Sequence, residues 1–220
     1  MDLKEVLQNR RSVRAFLPDP VPRDLIARVM DLARWSPSWG NTQPWEVVVA
    51  DGEKAMRLAD AFEAEAKKGE KPRPDITMPG DFPSPHKDRY VGLGRDLFSS
   101  MGIERGDKEA RSRHYINMYR FFGAPACVYF TVDGALNEPY ACLDIGSIGT
   151  TMCYAAHQEG LGTIYLAASS HFPDIIKKTL DIPETKKVVI GIAMGYPHPS
   201  APASLFRSER LSVEDILRFG

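Results

Sequence analysis

Residues 36–45 read Ser36-Pro37-Ser38-Trp39-Gly40-Asn41-Thr42-Gln43-Pro44-Trp45, between a helix-patterned run and the apolar run Glu46 to Ala50. Pro37 is expected to end the helix, because the residue before a proline is pushed out of the α region. Ser38, Gly40, Asn41 and Thr42 are turn formers, and Pro44 cannot donate a ladder hydrogen bond, so the strand is expected after it. The product is an ordered loop dense in backbone donors, small side chains and amides, framed by Trp39 and Trp45. An ordinary helix-to-strand connection has the same composition.

Upstream stands Arg10-Arg11-Ser12-Val13-Arg14, after a short segment patterned as a helix by Leu3, Val6 and Leu7. Arginine's planar fork suits phosphate oxygens. In an extended backbone Arg10, Ser12 and Arg14 share one face. A solvated basic turn reads the same way, and spacing alone leaves both open.

Around these two stretches the chain mixes helices and strands. Pro22 to Trp35 is an amphipathic helix, apolar at Leu25, Ile26, Val29, Met30, Leu32 and Ala33, placed to aim the loop. Glu46 to Ala50 reads as a strand and Lys54 to Lys68 as a helix. Lys67 to Arg89 carries Pro72, Pro74, Pro79, Pro83 and Pro85. It is either a linker or a lid-type loop, and two helix-like pieces follow it, near Val91 to Met101 and Lys108 to Phe121. The substrate-facing cover is placed in this insertion, at about 63–119.

Ala126 to Val132 is a nearly continuous apolar strand, as burial on both faces requires. Tyr140 to Gln158 is a small-residue helix on which Asp144 reads as a packed or capping carboxylate rather than a base. Gly160-Leu161-Gly162-Thr163 leads into Ile164 to Leu166, Val188 to Met194 is a second buried strand, and Pro173 to Leu180 is a short helix opened by a proline. Beyond Pro197 the chain reads as extended until a helical Val213 to Phe219. No Gly-x-Gly-x-x-Gly, Gly-x-x-x-x-Gly-Lys or Gly-x-Ser-x-Gly occurs, which argues against a dinucleotide-binding Rossmann unit, a P-loop and an α/β-hydrolase. A single α+β domain over residues 1–220 remains.

Twenty-eight basic against 29 acidic residues give no electrostatic case for nucleic acid or an anionic membrane. Without a signal-peptide core or a membrane-length apolar run, cytoplasm is the expected compartment. Cys127, Cys142 and Cys153 have no ligand spacing and are expected to pack in the core. The five histidines, His171 among them, form no metal pattern, and His171 reads as a loop residue.

Together the two opening stretches resemble the FMN-dependent nitroreductase family. Arg-Arg-Ser-Val-Arg, Pro18-Asp19-Pro20-Val21-Pro22, a helix and then Ser-Pro-Ser-x-x-Asn-x-Gln-Pro-Trp follow that family's order. Phe122-Gly123-Ala124-Pro125, Gly160-Leu161-Gly162-Thr163, Gly195-Tyr196-Pro197 and Phe206-Arg207-Ser208-Glu209-Arg210 extend the likeness. The resemblance implies an α+β nitroreductase-like fold, with a central mixed or antiparallel sheet flanked by helices. It also implies an intertwined homodimer with a C-terminal exchange arm at about 198–220.

It further implies FMN as cofactor and NADH or NADPH as reductant, with a small aromatic or quinone-like substrate. Arg10, Arg11, Ser12, Arg14, Arg207 and Arg210 then serve the cofactor from opposite ends of the chain, chiefly at its phosphate. Pro37, Ser38, Trp39, Asn41 and Gln43 contact the flavin from the neighbouring subunit. The segment Tyr165, Leu166, Ala167 and Ala168 presents a backbone amide to flavin N5, and no side chain is the catalyst. Two departures bear on the ring: Ala203-Ser204 stands where one branch has asparagine, and Leu166 where many members are polar. A specialised flavin chemistry on the same fold (dehydrogenation, dehalogenation), or a flavin-binding sensor without turnover, are the alternative readings.

Overall fold

β2 (Ala126–Asp133) is buried along nearly its whole length because the sheet is covered on both faces. In the computed structural model, which describes residues 1–220, four strands are ordered β1-β2-β4-β3, with β1 at Glu46–Asp51, β3 at Gly162–Leu166 and β4 at Lys186–Gly195. Every pairing is antiparallel, which decides between the mixed and antiparallel expectations. The one parallel link is an isolated bridge from Ser12 to Thr163.

Successive β2 side chains point to opposite faces. Cys127 and Tyr129 join a core with α3 (Gly52–Lys68) and α7 (Pro173–Leu180), through residues such as Leu58, Phe62 and Ile176. Ala126, Val128, Phe130 and Val132 join the other core, with α2 (Arg23–Ala33) and α6 (Glu138–Gln158). The apolar spacing of α2 thus faces the sheet, and Ala33 is its last helical residue. Burial pushes the Cys127 thiol up to about 12 and Cys153 up to about 11, so these two cysteines are packed, neutral thiols. Cys142 is only partly buried, on α6, where burial and then Glu138 also push its thiol up.

α1 (Leu3–Asn9) opens on a capping box between Asp2 and Glu5. After α3 the proline-bearing segment is strapped to the body. The Arg73 N–H donates to the His171 carbonyl (2.9 Å), and Asp75 accepts from the Val188 N–H (2.8 Å) and faces the buried Lys177 ammonium (3.1 Å). α4 (His86–Ser100) begins five residues before the expected helix, and α5 (Lys108–Tyr119) ends at the expected place within two. The tail is less extended than its composition suggests, since α8 (Pro202–Leu205) interrupts it and α9 covers only Val213–Ile216. No helix is long and apolar enough to cross a membrane.

Gly191 shows how tightly β4 is packed. A β-carbon there would overlap Ser169 Oγ and come within 3.0 Å of Cys127 Sγ and the Tyr129 ring. Gly191→Ala is therefore expected to cost about 1–3 kcal/mol of stability, the usual penalty of overpacking. Chemical denaturation with an unchanged m-value and a lowered midpoint is the expected readout; a midpoint equal to that of the wild type would contradict it.

Candidate functional site

Arg10 is the C-cap of α1, and its backbone (φ −59°, ψ 132°) turns the chain out of the helix. The next residues are laced to the sheet: the Val13 N–H donates to the Thr163 carbonyl (3.0 Å) and the Leu17 N–H to the Tyr196 carbonyl (2.8 Å). From the other end, Arg207 donates to the Gln8 carbonyl and to Asn9 Oδ1, both at 3.0 Å. It thereby docks on the carbonyl end of α1, where a cation is favoured. Arg10, Arg11 and Arg207 so line one cavity of about 370 Å3, walled also by His157 and Gly160 to Thr163 and containing no carboxylate. Three guanidiniums without an acid form a site for a multiply charged anion.

His157, in the last turn of α6, was not singled out in the sequence. Its Nε2 is buried without a partner. Burial first, and then the charges of Arg10, Arg11 and Arg207, hold its pKa below the ordinary histidine value. An anion among those arginines would give this nitrogen an acceptor when it carries the proton. The available signal was position: His157 stands three residues before the Gly-Leu-Gly-Thr turn that walls the cavity.

Ser12 and Arg14 are placed differently from the single-face expectation. Strict alternation starts only after the α1 cap, so Arg11 lines the cavity while Ser12 makes the bridge to β3. Arg14 is part-buried, and its guanidinium donates to the Ser12 carbonyl (3.3 Å). Burial lowers its pKa, and its charge is felt by His114 of α5. It therefore lies towards α5 rather than in the arginine cavity. Arg210 stands apart from the cavity, donating to the Ser208 carbonyl and hydroxyl and the Glu209 carbonyl.

At the end of β3 the structure offers backbone. Leu166 and Ala168 bury their side chains in the core. Tyr165 lies over Gly149 of α6, where a β-carbon would collide with its hydroxyl, and bonds weakly to Thr150 and the Gly146 carbonyl. Ser169 Oγ donates to the Leu166 carbonyl (2.6 Å) and Ser170 Oγ to the Ala167 carbonyl (2.9 Å), fixing the peptide planes of residues 166–168. A peptide plane held by its carbonyl aims its N–H the opposite way. His171 follows, a loop residue as expected, half-buried with Nδ1 3.1 Å from the Tyr119 hydroxyl of α5. Burial lowers the His171 pKa and raises that of Tyr119, so both are neutral near pH 7.

The Ser36–Trp45 loop is built on α6. Buried Asp144 accepts from the Trp39 N–H (3.0 Å), the packed, capping role expected of it. Ser36 Oγ donates to the Ala33 carbonyl and meets Thr151 Oγ1, each at 2.8 Å. Ser38 Oγ accepts from the Gln43 N–H (3.0 Å), and the Gln43 side-chain amide donates to the Asn41 carbonyl (3.2 Å). Gly40, Asn41 and Gln43 all have positive φ, which turns the loop outward. Pro37, Trp39, Asn41 and Gln43 are exposed, and Trp39 packs its ring 5.8 Å from Tyr140. Within one chain this loop does not reach the arginine cavity.

Comparison with known proteins gives one consistent set. Residues 7–196 match the family described as Nitroreductase family. The chain is 32% identical over 218 residues to a 4-nitrobenzoate reductase of Pseudomonas putida, covering 99% of this chain and 95% of that one. It is 30% identical to Nitroreductase NfnB of Mycolicibacterium smegmatis, covering 98% and 92%. Among solved structures, the FMN-dependent nitroreductase NfnB from Mycobacterium smegmatis in complex with NADPH superposes with a TM-score of 0.92 at 28% identity, over 99% of this chain and 97% of that one. The FMN and NADPH-dependent NfnB from sphigopyxis sp. strain HMH gives 0.94 at 28%, over 100% and 99%.

Proposed function

The chain belongs to the nitroreductase family, and from that premise we propose that it is an FMN-dependent oxidoreductase reducing nitroaromatic, quinone-like or related small acceptors with NADH or NADPH. The observation that carries this reading is the meeting of Arg10, Arg11 and Arg207 at one carboxylate-free cavity, beside an orphaned histidine nitrogen. That donor set fits a phosphate monoester. FMN, when bound, supplies hydride chemistry through N5, and the protein supplies binding, orientation and electrostatics.

Each group of residues then has a task. Arg10, Arg11 and Arg207 hold the phosphate. The Ser12–Thr163 bridge sets the segment beside β3, so Arg14 lies further along the strand than Arg10, towards Leu166. Arg14, part-buried there, is the cation available to a ring that becomes anionic on reduction. The 166–168 backbone, held by Ser169 and Ser170, presents its amides to the ring edge.

The Trp39 loop takes its part from a second copy. One chain leaves Trp35, Trp39, Tyr140 and Leu143 exposed on one side, and Leu211, Val213, Ile216, Leu217 and Phe219 exposed along the tail. An apolar arm of this kind finds cover only on a partner, and a homodimer supplies it. Residues 63–119, with α4 and α5, form the cover over the acceptor.

Anaerobic addition of NADPH or NADH to the yellow protein tests the reading. Rapid bleaching, followed by reoxidation with 4-nitrobenzoate or a quinone, is expected. Bleaching that neither acceptor reverses would assign a specialised flavin chemistry, and no bleaching with either donor would refute the proposal.

A further inference from the structure

A second cavity, of about 470 Å3, opens between the C-terminal end of α3 and one face of α5. One stripe of α5 (Lys108, Arg111, Tyr115 and Tyr119) faces it, at the three- and four-residue spacing of a single helical face. Arg105 adds a further cation, and Ala66, Gly69 and Glu70 form the opposite wall. Glu70 is the only acid of the lining. Two carboxylates of α3 and α5 are paired elsewhere: Glu109 with Arg113, and Glu65 with Lys68 and Arg73. Arg105, Lys108 and Arg111 outnumber the one acid of the lining and none of them is in an ion pair, and Arg111 is held by the Phe98 ring, 4.3 Å below its guanidinium.

The cavity has a direction. Its Tyr119 end is hydrogen-bonded to His171, three residues beyond Ala168. Its cationic end lies three helical turns away, roughly 16 Å along α5. An occupant that works at the 166–168 loop and also meets Arg105 and Lys108 must be long, with an aromatic middle and a negative far end. A single-ring nitroarene is too short for that and a dinucleotide is not.

We propose that this wedge takes the adenosine 2′-phosphate half of NADPH, with the purine against Tyr115 and the 2′-phosphate on Arg105, Lys108 and Arg111. This rests on the flavin reading above and adds to it the choice of donor. Aromatic side chains accept a base through its π-face, and guanidinium and ammonium groups suit the phosphate. NADH, which lacks the 2′-phosphate, leaves the three cations facing water.

The test compares kcat/KM for NADPH and NADH in the flavin-loaded enzyme and in the double variant Arg105→Gln/Lys108→Gln. The wild type is expected to prefer NADPH by about tenfold or more, since each charged hydrogen bond contributes a factor of about tenfold to a hundredfold. The variant is expected to lose most of that preference while keeping its NADH activity and FMN content. Raised ionic strength should shrink the preference in the wild type, because exposed charges are screened. Calorimetry with 2′,5′-ADP should show binding to the wild type and none to the variant. Equal use of both donors by the wild type, or an NADPH preference unchanged by the substitutions, would overturn the proposal. So would a rise in KM for 4-nitrobenzoate in place of NADPH. A chain that takes up no FMN yet binds 2′,5′-ADP through these residues would refute the flavin reading and leave the wedge standing.

Discussion

Deleting residues 198–220 is expected to yield a protein that is monomeric and colourless. Two separate losses produce this. The first is local: the deletion removes Arg207, one of the three cavity guanidiniums. It also removes Ser204, whose Oγ accepts from the Arg14 N–H (3.3 Å) and donates to the Ala15 carbonyl (3.0 Å). The His198 N–H, bonded to that same carbonyl at 3.0 Å, goes with it. The segment carrying Arg10 to Arg14 then keeps its β3 bridge but loses its outer clasp. The second loss is intermolecular. Phe219, Ile216 and Val213 are 92%, 69% and 61% exposed in one chain, and each such side chain that moves into a contact contributes about 1.5–3 kcal/mol. Several of them are needed to exceed the association cost of about 4–15 kcal/mol, so removing the arm removes most of the margin. Light scattering gives the mass and the 450 nm absorbance gives flavin content. A truncated protein that stays dimeric and yellow would refute both roles of the arm, and a colourless dimer would separate them.

Arg10→Ala is expected to weaken FMN binding by about tenfold to a hundredfold, from the ~1.5–3 kcal/mol of one charged hydrogen bond. The size follows from how Arg10 is placed. Its side chain faces the cavity in company with two further guanidiniums and no acid, whereas its backbone N–H caps α1 through the Val6 carbonyl, a bond that alanine keeps. The substitution should therefore leave the melting temperature of the flavin-free protein near that of the wild type. Titration of flavin fluorescence measures the affinity. A wild-type dissociation constant in the variant would remove Arg10 from the phosphate site. Arg14 makes a poorer probe, because it is part-buried and bonded to the Ser12 carbonyl, so its loss would disturb packing as well.

Several elements were legible in the chain itself. The nearly continuous apolar run at 126–132 meant a strand covered on both faces, and it is one, between two cores. The α2 spacing and the Pro37 break set the helix-loop-strand order around Ser36–Trp45. The Pro72–Pro85 stretch was less legible: composition separates a linker from a lid poorly, and ion pairs to Asp174 and Lys177 of α7 and a hydrogen bond from Val188 of β4 hold its start.

What the sequence determined by itself is therefore the local backbone: the helix-loop-strand order around Ser36–Trp45, which strand is buried twice, and which stretches carry guanidiniums, turn formers and tryptophans. Such features follow from steric preference and periodicity, and these act over a few residues. Only the tertiary structure decided direction. It turned Arg11 into the cavity and Arg14 towards α5, brought Arg207 across to the end of α1, and left the His157 nitrogen unpartnered among them. It also set Arg105, Lys108 and Arg111 around one cavity beside the end of α3. The physical reason is the same in each case. The direction of a side chain is set by what packs against it, and here those neighbours lie well beyond the reach of local periodicity, as Arg207 does from Gln8.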